Sequence, residues 1–260
     1  MHKFFVPKSS IDDNKAIIEG EDVKHIYKVL RLQVGEKVSI NNSCGKEYIG
    51  EITYIDKKVV NINILKENPI NNESPIEVYL FQGMPKSTKM DLIVQKNTEL
   101  GVKSITPIIT QRVEVKTEIM EFKKDKEIDK KIIRWNRIAL EASKQSKRSL
   151  IPVINEPIEF DKLLVELKAM DLVVVPYENE EGYGMKKLIE DIDKDKETIN
   201  KVAIIIGPEG GFEECEISKL KGIGSKIITL GPRILRTETA GFTCLSLIMY
   251  EFSDLGGSIK

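Results

Sequence analysis

Ile206-Gly207-Pro208-Glu209-Gly210-Gly211-Phe212 and Leu230-Gly231-Pro232-Arg233-Ile234-Leu235-Arg236-Thr237-Glu238-Thr239-Ala240 decide how the rest of this chain is read. Each stretch follows a short apolar run and leads into a helix-like segment. Loops at the carboxyl ends of adjacent strands form the ligand crevice of an α/β sheet. Glycine lets the backbone come close to a ligand, so main-chain N–H and C=O groups can do the binding. Pro208 and Pro232 fix φ and stiffen both loops, which lowers the entropy lost on holding a ligand. The two loops read as two walls of one pocket.

Upstream of these loops, strands and helices alternate. Ile76–Gln82 reads as strand, Thr88–Gly101 as helix and Ser104–Ile109 as strand. Asp129–Ser146 reads as a long helix whose buried face is Ile132, Ile133, Trp135, Ile138, Ala139 and Ala142. Strand Asp171–Pro176, helix Met185–Ile192, strand Lys201–Ile206, helix Glu213–Lys221, strand Lys226–Leu230 and helix Thr239–Phe252 follow. Such alternation predicts an α/β fold, a largely parallel sheet with helices on both faces. A Rossmann-type fold is the default for this pattern, but no GxGxxG follows the first strand, where Gln82-Gly83-Met84-Pro85-Lys86 stands instead. The last helix carries Phe242, Leu245, Leu247, Ile248, Met249, Tyr250 and Phe252. Being apolar on most sides, it is expected to be buried by something.

Before the alternation, Asn68-Pro69-Ile70-Asn71-Asn72-Glu73-Ser74-Pro75 is polar and rich in turn formers, and marks a domain boundary. It divides the chain into residues 1–70 and 76–260. The first part shows β-like runs at Ala16–Glu19, Lys37–Asn41, Tyr48–Ile55 and Val59–Leu65, the last alternating Val60, Ile62 and Ile64 with Asn61 and Asn63. Glu21–Val29 between the first two runs is helical, with Val23, Ile26, Val29 and Leu30 on its apolar face. Several short strands with one helix suggest a small barrel.

Composition narrows the function. None of the 260 residues lies in an apolar run long enough to span a bilayer, and the N-terminus lacks the apolar core of a signal peptide. The expectation is a soluble, cytoplasmic protein. Cys44, Cys215 and Cys244 lack CxxC spacing, and His2 and His25 are the only histidines, so no disulfide framework and no metal site is indicated. A net charge of −1 argues against a nucleic-acid partner until its distribution is seen. Residues 76–150 hold 16 basic and 10 acidic side chains, while 151–260 hold 13 basic and 20 acidic. A near-neutral chain can still present one basic surface, and local potential governs phosphate binding. The mixed-sign run Lys123–Lys131 reads as the solvated start of a helix or a loop.

The paired loops closely resemble the signature of the RsmE family, S-adenosylmethionine-dependent methyltransferases of the SPOUT superfamily that act on N3 of a uridine in 16S ribosomal RNA. The resemblance extends to His25-Ile26-Tyr27-Lys28-Val29-Leu30-Arg31-Leu32, to Gln95-Lys96-Asn97-Thr98-Glu99-Leu100-Gly101-Val102 and to Glu141-Ala142-Ser143-Lys144-Gln145-Ser146-Lys147-Arg148. It therefore covers nearly the whole chain. It implies a PUA-like RNA-binding barrel over residues 1–70, a SPOUT methyltransferase domain with a C-terminal trefoil knot over 76–260, and a homodimer. S-adenosylmethionine is the implied cofactor and 16S ribosomal RNA, within the small ribosomal subunit, the implied partner.

With that cofactor, Leu230, Ile234 and Leu235 would edge an apolar adenine slot, joined by Gly231, Thr239 and Ala240. Gly207, Pro208, Glu209, Gly210 and Gly211 would close on the ribose and methionine portion. A uridine N3 becomes nucleophilic as its proton leaves, so the reaction needs a base or a group that stabilises the anion. Glu238 and Glu209 are the candidate bases and Arg236 the positive partner. Glu238 also fits a purely structural role in a helix first turn, with Thr237 and Thr239 as N-caps.

RNA-contact candidates come from charged stripes. Lys24, Lys28 and Arg31 recur on one helical face, and Arg134, Arg137, Lys144, Gln145 and Arg148 do much the same on the long helix. Trp135, among Ile132, Ile133 and Ile138, reads as core or dimer interface. Two rivals remain open at this stage: a SPOUT methyltransferase for another ribosomal or transfer RNA nucleotide, and a non-catalytic RNA-binding assembly factor.

Overall fold

The alternation of Val60, Ile62 and Ile64 with Asn61 and Asn63 does form a strand, its valine and isoleucines buried and its asparagines turned out. The structure is a computed structural model describing residues 1–69, 72–86, 88–113, 127–195 and 198–257. Within the run Lys123–Lys131, residues 123–126 lie outside the described ones, as do Ile70 and Asn71 of the boundary segment. The chain gathers into two units, Met1–Glu73 with Ser143–Ile151, and Ser74–Ala142 with Pro152–Lys260.

The first unit is built on β1 (Lys3–Phe5), β2 (Ile11–Asp12), β3 (Lys15–Glu19), β4 (Lys37–Asn41), β5 (Glu47–Ile55) and β6 (Val59–Asn68). The strand order is β1-β4-β5-β6-β3-β2, antiparallel throughout except for β1 beside β4. Since β1 and β2 are not paired with each other, the sheet is a half-barrel. Its core is Phe4, Val6, Ile18, Ile26, Val38, Ile40, Ile52, Val60 and Ile62. Between β3 and β4, α1 (Glu21–Lys24) widens into a π-helix over His25–Leu30, where one continuous α-helix was expected. Arg31, at φ 53°, then turns the chain so that Leu32 N–H bonds Ile26 O at 3.1 Å and Leu32 enters the core. The wider winding rotates Val29 out of the expected apolar face to 70 % exposure.

The second unit carries β7 (Glu77–Gly83), β8 (Ser104–Ile109), β9 (Val153–Ile154), β10 (Ile158–Glu159), β11 (Leu172–Pro176), β12 (Lys201–Ile206) and β13 (Lys226–Ile228). They form one sheet in the order β10-β8-β7-β12-β11-β13, with β9 beside β8, and every pairing is parallel. The helices are α2 (Lys89–Glu99), α3 (Glu127–Gln145), α4 (Phe160–Glu166), α5 (Met185–Asp195), α6 (Glu214–Gly222) and α7 (Thr237–Phe252). Phe81, Ile108, Val173, Val175, Ala203, Ile205, Phe212, Ile217, Leu220 and Ile227 share one core cluster. Burial of both faces explains why β11 and β12 are unbroken apolar runs.

One expected helix face and one expected helix start differ in the structure. Ile133 is 68 % exposed and lies off the buried face of α3, while Trp135 and Ala139 are buried. The last helix begins at Thr237, two residues before the expected Thr239, because Arg236 keeps an extended backbone (φ −65°, ψ 151°) and helical geometry starts directly after it. Gly241, Cys244, Leu245, Ile248 and Met249 bury one face of α7 against α2, β7 and β12. Tyr250 on that helix stays 63 % exposed, and Phe242 and Leu247 are half-buried. No helix among the described residues is long and apolar enough to cross a membrane.

Candidate functional site

A parallel sheet sends all its carboxyl ends to one edge, and the connections after β7, β8, β11, β12 and β13 therefore meet there. The two glycine loops, residues 207–213 and 229–236, belong to this edge.

The loop after β12 is tied down at every turn. Thr237 donates its hydroxyl to Gly207 O at 2.6 Å and accepts Gln82 Nε2 at 2.8 Å, so one threonine joins this loop to the end of β7 and the start of α7. Arg112, just beyond β8, donates to Gly210 O at 3.1 Å and pairs with both carboxylate oxygens of Glu213 at 2.8 and 3.1 Å. Gly211 sits at φ +70°, and a Cβ there would collide with the Glu178 carboxylate. The space beside Gly210, read from sequence as room for a ligand, is filled by Arg112, whose Cβ lies 3.1 Å from where a side chain would begin. Phe212 closes the loop into the core at 1 % exposure.

The loop after β13 is open. Gly231 has φ +111° and nothing within 4 Å of a built Cβ. Its local bonds are those of the Thr229 hydroxyl with Gly231 N and O, both at 3.2 Å. Ile234 is 86 % exposed, Gly231 and Arg236 are exposed, and Leu230, Leu235, Thr239 and Ala240 are half-buried. Arg236 occupies the N-cap of α7 without a side-chain cap bond, so neither Thr237 nor Thr239 is the N-cap. Thr237 is the first helical residue, and its hydroxyl is spent on the neighbouring loop.

The structure brings Glu209 and Glu238 together through a residue that the sequence reading missed. Lys89, first residue of α2, places Nζ 2.9 Å from Glu209 Oε1 and 3.5 Å from Glu238 Oε2. Glu209 also accepts the Lys86 N–H, at 3.1 Å on Oε1 and 3.4 Å on Oε2. Burial pushes the Glu209 carboxyl up, but the Lys89 hydrogen bond, the backbone N–H groups and the lysine charge outweigh it and hold the group below its ordinary 4.5. Glu238 Oε2 is buried and lacks a hydrogen-bond partner, its approach to Lys89 being an ion pair only. Position alone pointed to Lys89, one turn after the first strand of the sheet. Nothing in the local sequence connects it to Glu209, 120 positions away, or to the still more distant Glu238.

The RNA-contact candidates fall in both units. Lys24, Lys28 and Arg31 are exposed in the first unit, though the π-helix changes their angular spacing. Arg134 pairs with Asp91 in the second unit, and exposed Arg137 lies on the same helix. Lys144 pairs with Asp22 at 3.0 Å, and Gln145 is exposed. Arg148 departs from expectation, for its side chain is 4 % exposed and bound to Glu73 Oε2 at 2.7 Å. Glu73 Oε1 in turn accepts Ser149 N–H at 2.6 Å and Leu150 N–H at 2.8 Å. A guanidinium committed to a buried ion pair anchors its own segment and is not an open phosphate ligand. Among the described residues no cluster of three or more histidine, cysteine or acidic side chains stands ready for a metal ion.

Residues 72–249 match the model of an RNA methyltransferase domain, and residues 18–65 that of an RNA methyltransferase PUA domain. The chain is 34 % identical over 260 residues to the ribosomal RNA small subunit methyltransferase E of Bacillus subtilis, covering 99 % of each protein. It is 32 % identical to the Aquifex aeolicus protein of the same name, over 96 % of this chain and 99 % of that one. Among solved structures, the Neisseria gonorrhoeae ribosomal RNA small subunit methyltransferase E bound to S-adenosylmethionine superposes with a TM-score of 0.81. The two are 26 % identical, over 98 % of this chain and 99 % of that one.

Proposed function

This chain belongs to the ribosomal RNA small subunit methyltransferase E family, and on that premise we propose that it methylates N3 of one uridine in 16S ribosomal RNA, using S-adenosylmethionine. The observation that carries this reading is an open apolar loop running directly into a helix whose first turn holds an unbonded carboxylate oxygen.

The residues present fit the cofactor. Ile234 is almost wholly exposed beside half-buried Leu230 and Leu235, an apolar surface suited to an adenine. Space stands open at Gly231. The stapled loop at Gly207, Pro208 and Gly211 is the opposite wall, with Thr239 and Ala240 at the floor. When bound, S-adenosylmethionine supplies a methyl carbon made electrophilic by its sulfonium.

The chain's own residues then handle the proton and the charge. Glu238, held by Lys89 only at 3.5 Å, takes the N3 proton on its carboxylate. Glu209, held ionised by Lys89 and Lys86, is a poor acceptor and keeps the loop in place. Arg236, exposed at the mouth of α7, faces the negative charge that builds on a uracil oxygen as N3–H is lost. The half-barrel of residues 1–70 serves as the RNA-binding module, with Lys24, Lys28 and Arg31 toward phosphates, and residues 76–260 as the methyltransferase domain. The half-exposed apolar face of α7 supports a homodimer, and the return of α7 to the sheet centre after edge strand β13 supports a threaded C-terminus. The protein acts in the cytoplasm, on the small ribosomal subunit.

Two measurements test the reading together. Calorimetry should show S-adenosylmethionine binding, and small-subunit RNA from cells lacking the protein should lose one N3-methyluridine. That methyl should return with the wild-type gene and not with Glu238→Gln. An unchanged nucleoside map would refute the substrate, and absent binding would refute the cofactor.

A further inference from the structure

We propose that Lys89 is a positioning residue of the methyl-transfer site, committing Glu209 to holding the loop so that Glu238 remains the proton acceptor. The inference rests on the function proposed above and extends it to a residue outside both glycine loops. Its ground is the meeting of three charged groups from three elements: the first residue of α2, the loop after β12 and the first turn of α7.

One ammonium faces two carboxylates, so the cluster carries one negative charge in excess. The bonding decides where that excess sits. Glu209 receives the short Lys89 contact at 2.9 Å and the Lys86 N–H on both oxygens. Glu238 receives only the longer 3.5 Å ion pair, and its buried Oε2 has no hydrogen bond. Glu238 is therefore the less firmly held carboxylate of the two, the one left to take a proton from the substrate nitrogen. No other charge competes for Lys89 from its own helix, since Asp91 is engaged by Arg134. Arg236, the residue two before Glu238, is at the exposed start of α7.

The test compares pH profiles of single-turnover methylation for the wild-type chain, Lys89→Met, Lys89→Arg and Glu238→Gln. Lys89→Met leaves two carboxylates facing each other, so the acid limb of its profile should move up by about one pH unit or more. Turnover at neutral pH should fall about tenfold or more, the scale of a misplaced general base. S-adenosylmethionine affinity should stay within about threefold, because the lost charge acts on the proton and not on the cofactor. Lys89→Arg should restore most of the rate and the wild-type limb. An unmoved limb in Lys89→Met, with Glu238→Gln inactive, overturns the role of Lys89 and leaves the proposed base standing. Wild-type turnover by Glu238→Gln overturns the base itself. Should Lys89→Met not turn over at any pH, carbon NMR titration of the labelled Glu238 carboxyl decides: an upward move against wild type supports the proposal and none refutes it. Lys89→Gln takes its place if the methionine variant unfolds.

Discussion

The two glycine loops look alike in sequence and differ in structure. The one after β12 is fastened by Thr237, Arg112, Lys89 and the buried ring of Phe212. The one after β13 has a single hydroxyl bridging its turn and leaves Ile234 86 % exposed. One wall is made before any ligand arrives, and the other has its apolar surface still to be covered. Glycine and proline at matched positions thus serve two ends, close packing of the chain on itself at Gly211 and open access at Gly231. The difference follows from what each loop meets: four neighbouring elements press on the first, and edge strand β13 gives the second few.

The largest expected effect tests the open wall's chemistry. Arg236→Ala should cut turnover by about a hundredfold or more, the scale of losing one transition-state electrostatic donor. Cofactor affinity in calorimetry should barely change, since the interaction grows with the charge on the substrate. Full turnover by this variant would remove the arginine from the mechanism and reduce the open loop to a cofactor cover.

A pair of glycine substitutions sharpens the contrast. A valine at either position meets a positive φ, a strain of about 1–3 kcal/mol. At Gly231 the free loop has room to relax, so the cost should fall on binding, with S-adenosylmethionine affinity down about tenfold and the melting temperature nearly unchanged. At Gly211 the loop is fixed without ligand and Glu178 is in the way, so Gly211→Val should lower the melting temperature by about 3–10 °C. Equal division of the loss between affinity and melting in both variants would mean the walls are equally preformed.

The smallest effect is a pH dependence of the fastened wall. Glu209 titrates below its ordinary 4.5 in the folded chain, so its contribution to stability is present above that value and fades as pH falls through the folded one. Glu209→Gln should therefore melt below the wild-type chain at neutral pH, and the gap should close on acidification below 4.5. A gap that stays constant into acid would show that the Lys89 and Lys86 contacts do not fasten the loop.

What was legible in the sequence follows the strength of local signals. β8 and β12 were readable to the residue, because a strand buried on both faces is a short, largely apolar run rich in β-branched residues. The two-residue strands β9 and β10 were not, since Val153–Ile154 and Ile158–Glu159 are too short to have a period. The π-helix escaped for the opposite reason: Val23, Ile26 and Val29 keep α spacing, and only the left-handed Arg31 and the burial of Leu32 reveal the wider winding. At the candidate site, the glycines and acids could be singled out because each loop is local in sequence. Lys89 was invisible as a partner, one lysine among many, because its carboxylates arrive from distant segments. Arg148 shows the reverse error, a basic residue counted as surface whose charge is answered by Glu73 inside the fold.

The Thr237 clasp also sets an order of assembly. Its hydroxyl joins residues 155 positions apart in the chain, the end of β7 and the start of α7. During synthesis the sheet strands emerge long before that threonine, and contacts of such sequence separation form late. A nascent chain ending before residue 237 has both glycine loops and Lys89, yet its first loop lacks the clasp and Glu238 has not been made. The clasp on the first loop is therefore withheld until the start of the last helix leaves the ribosome.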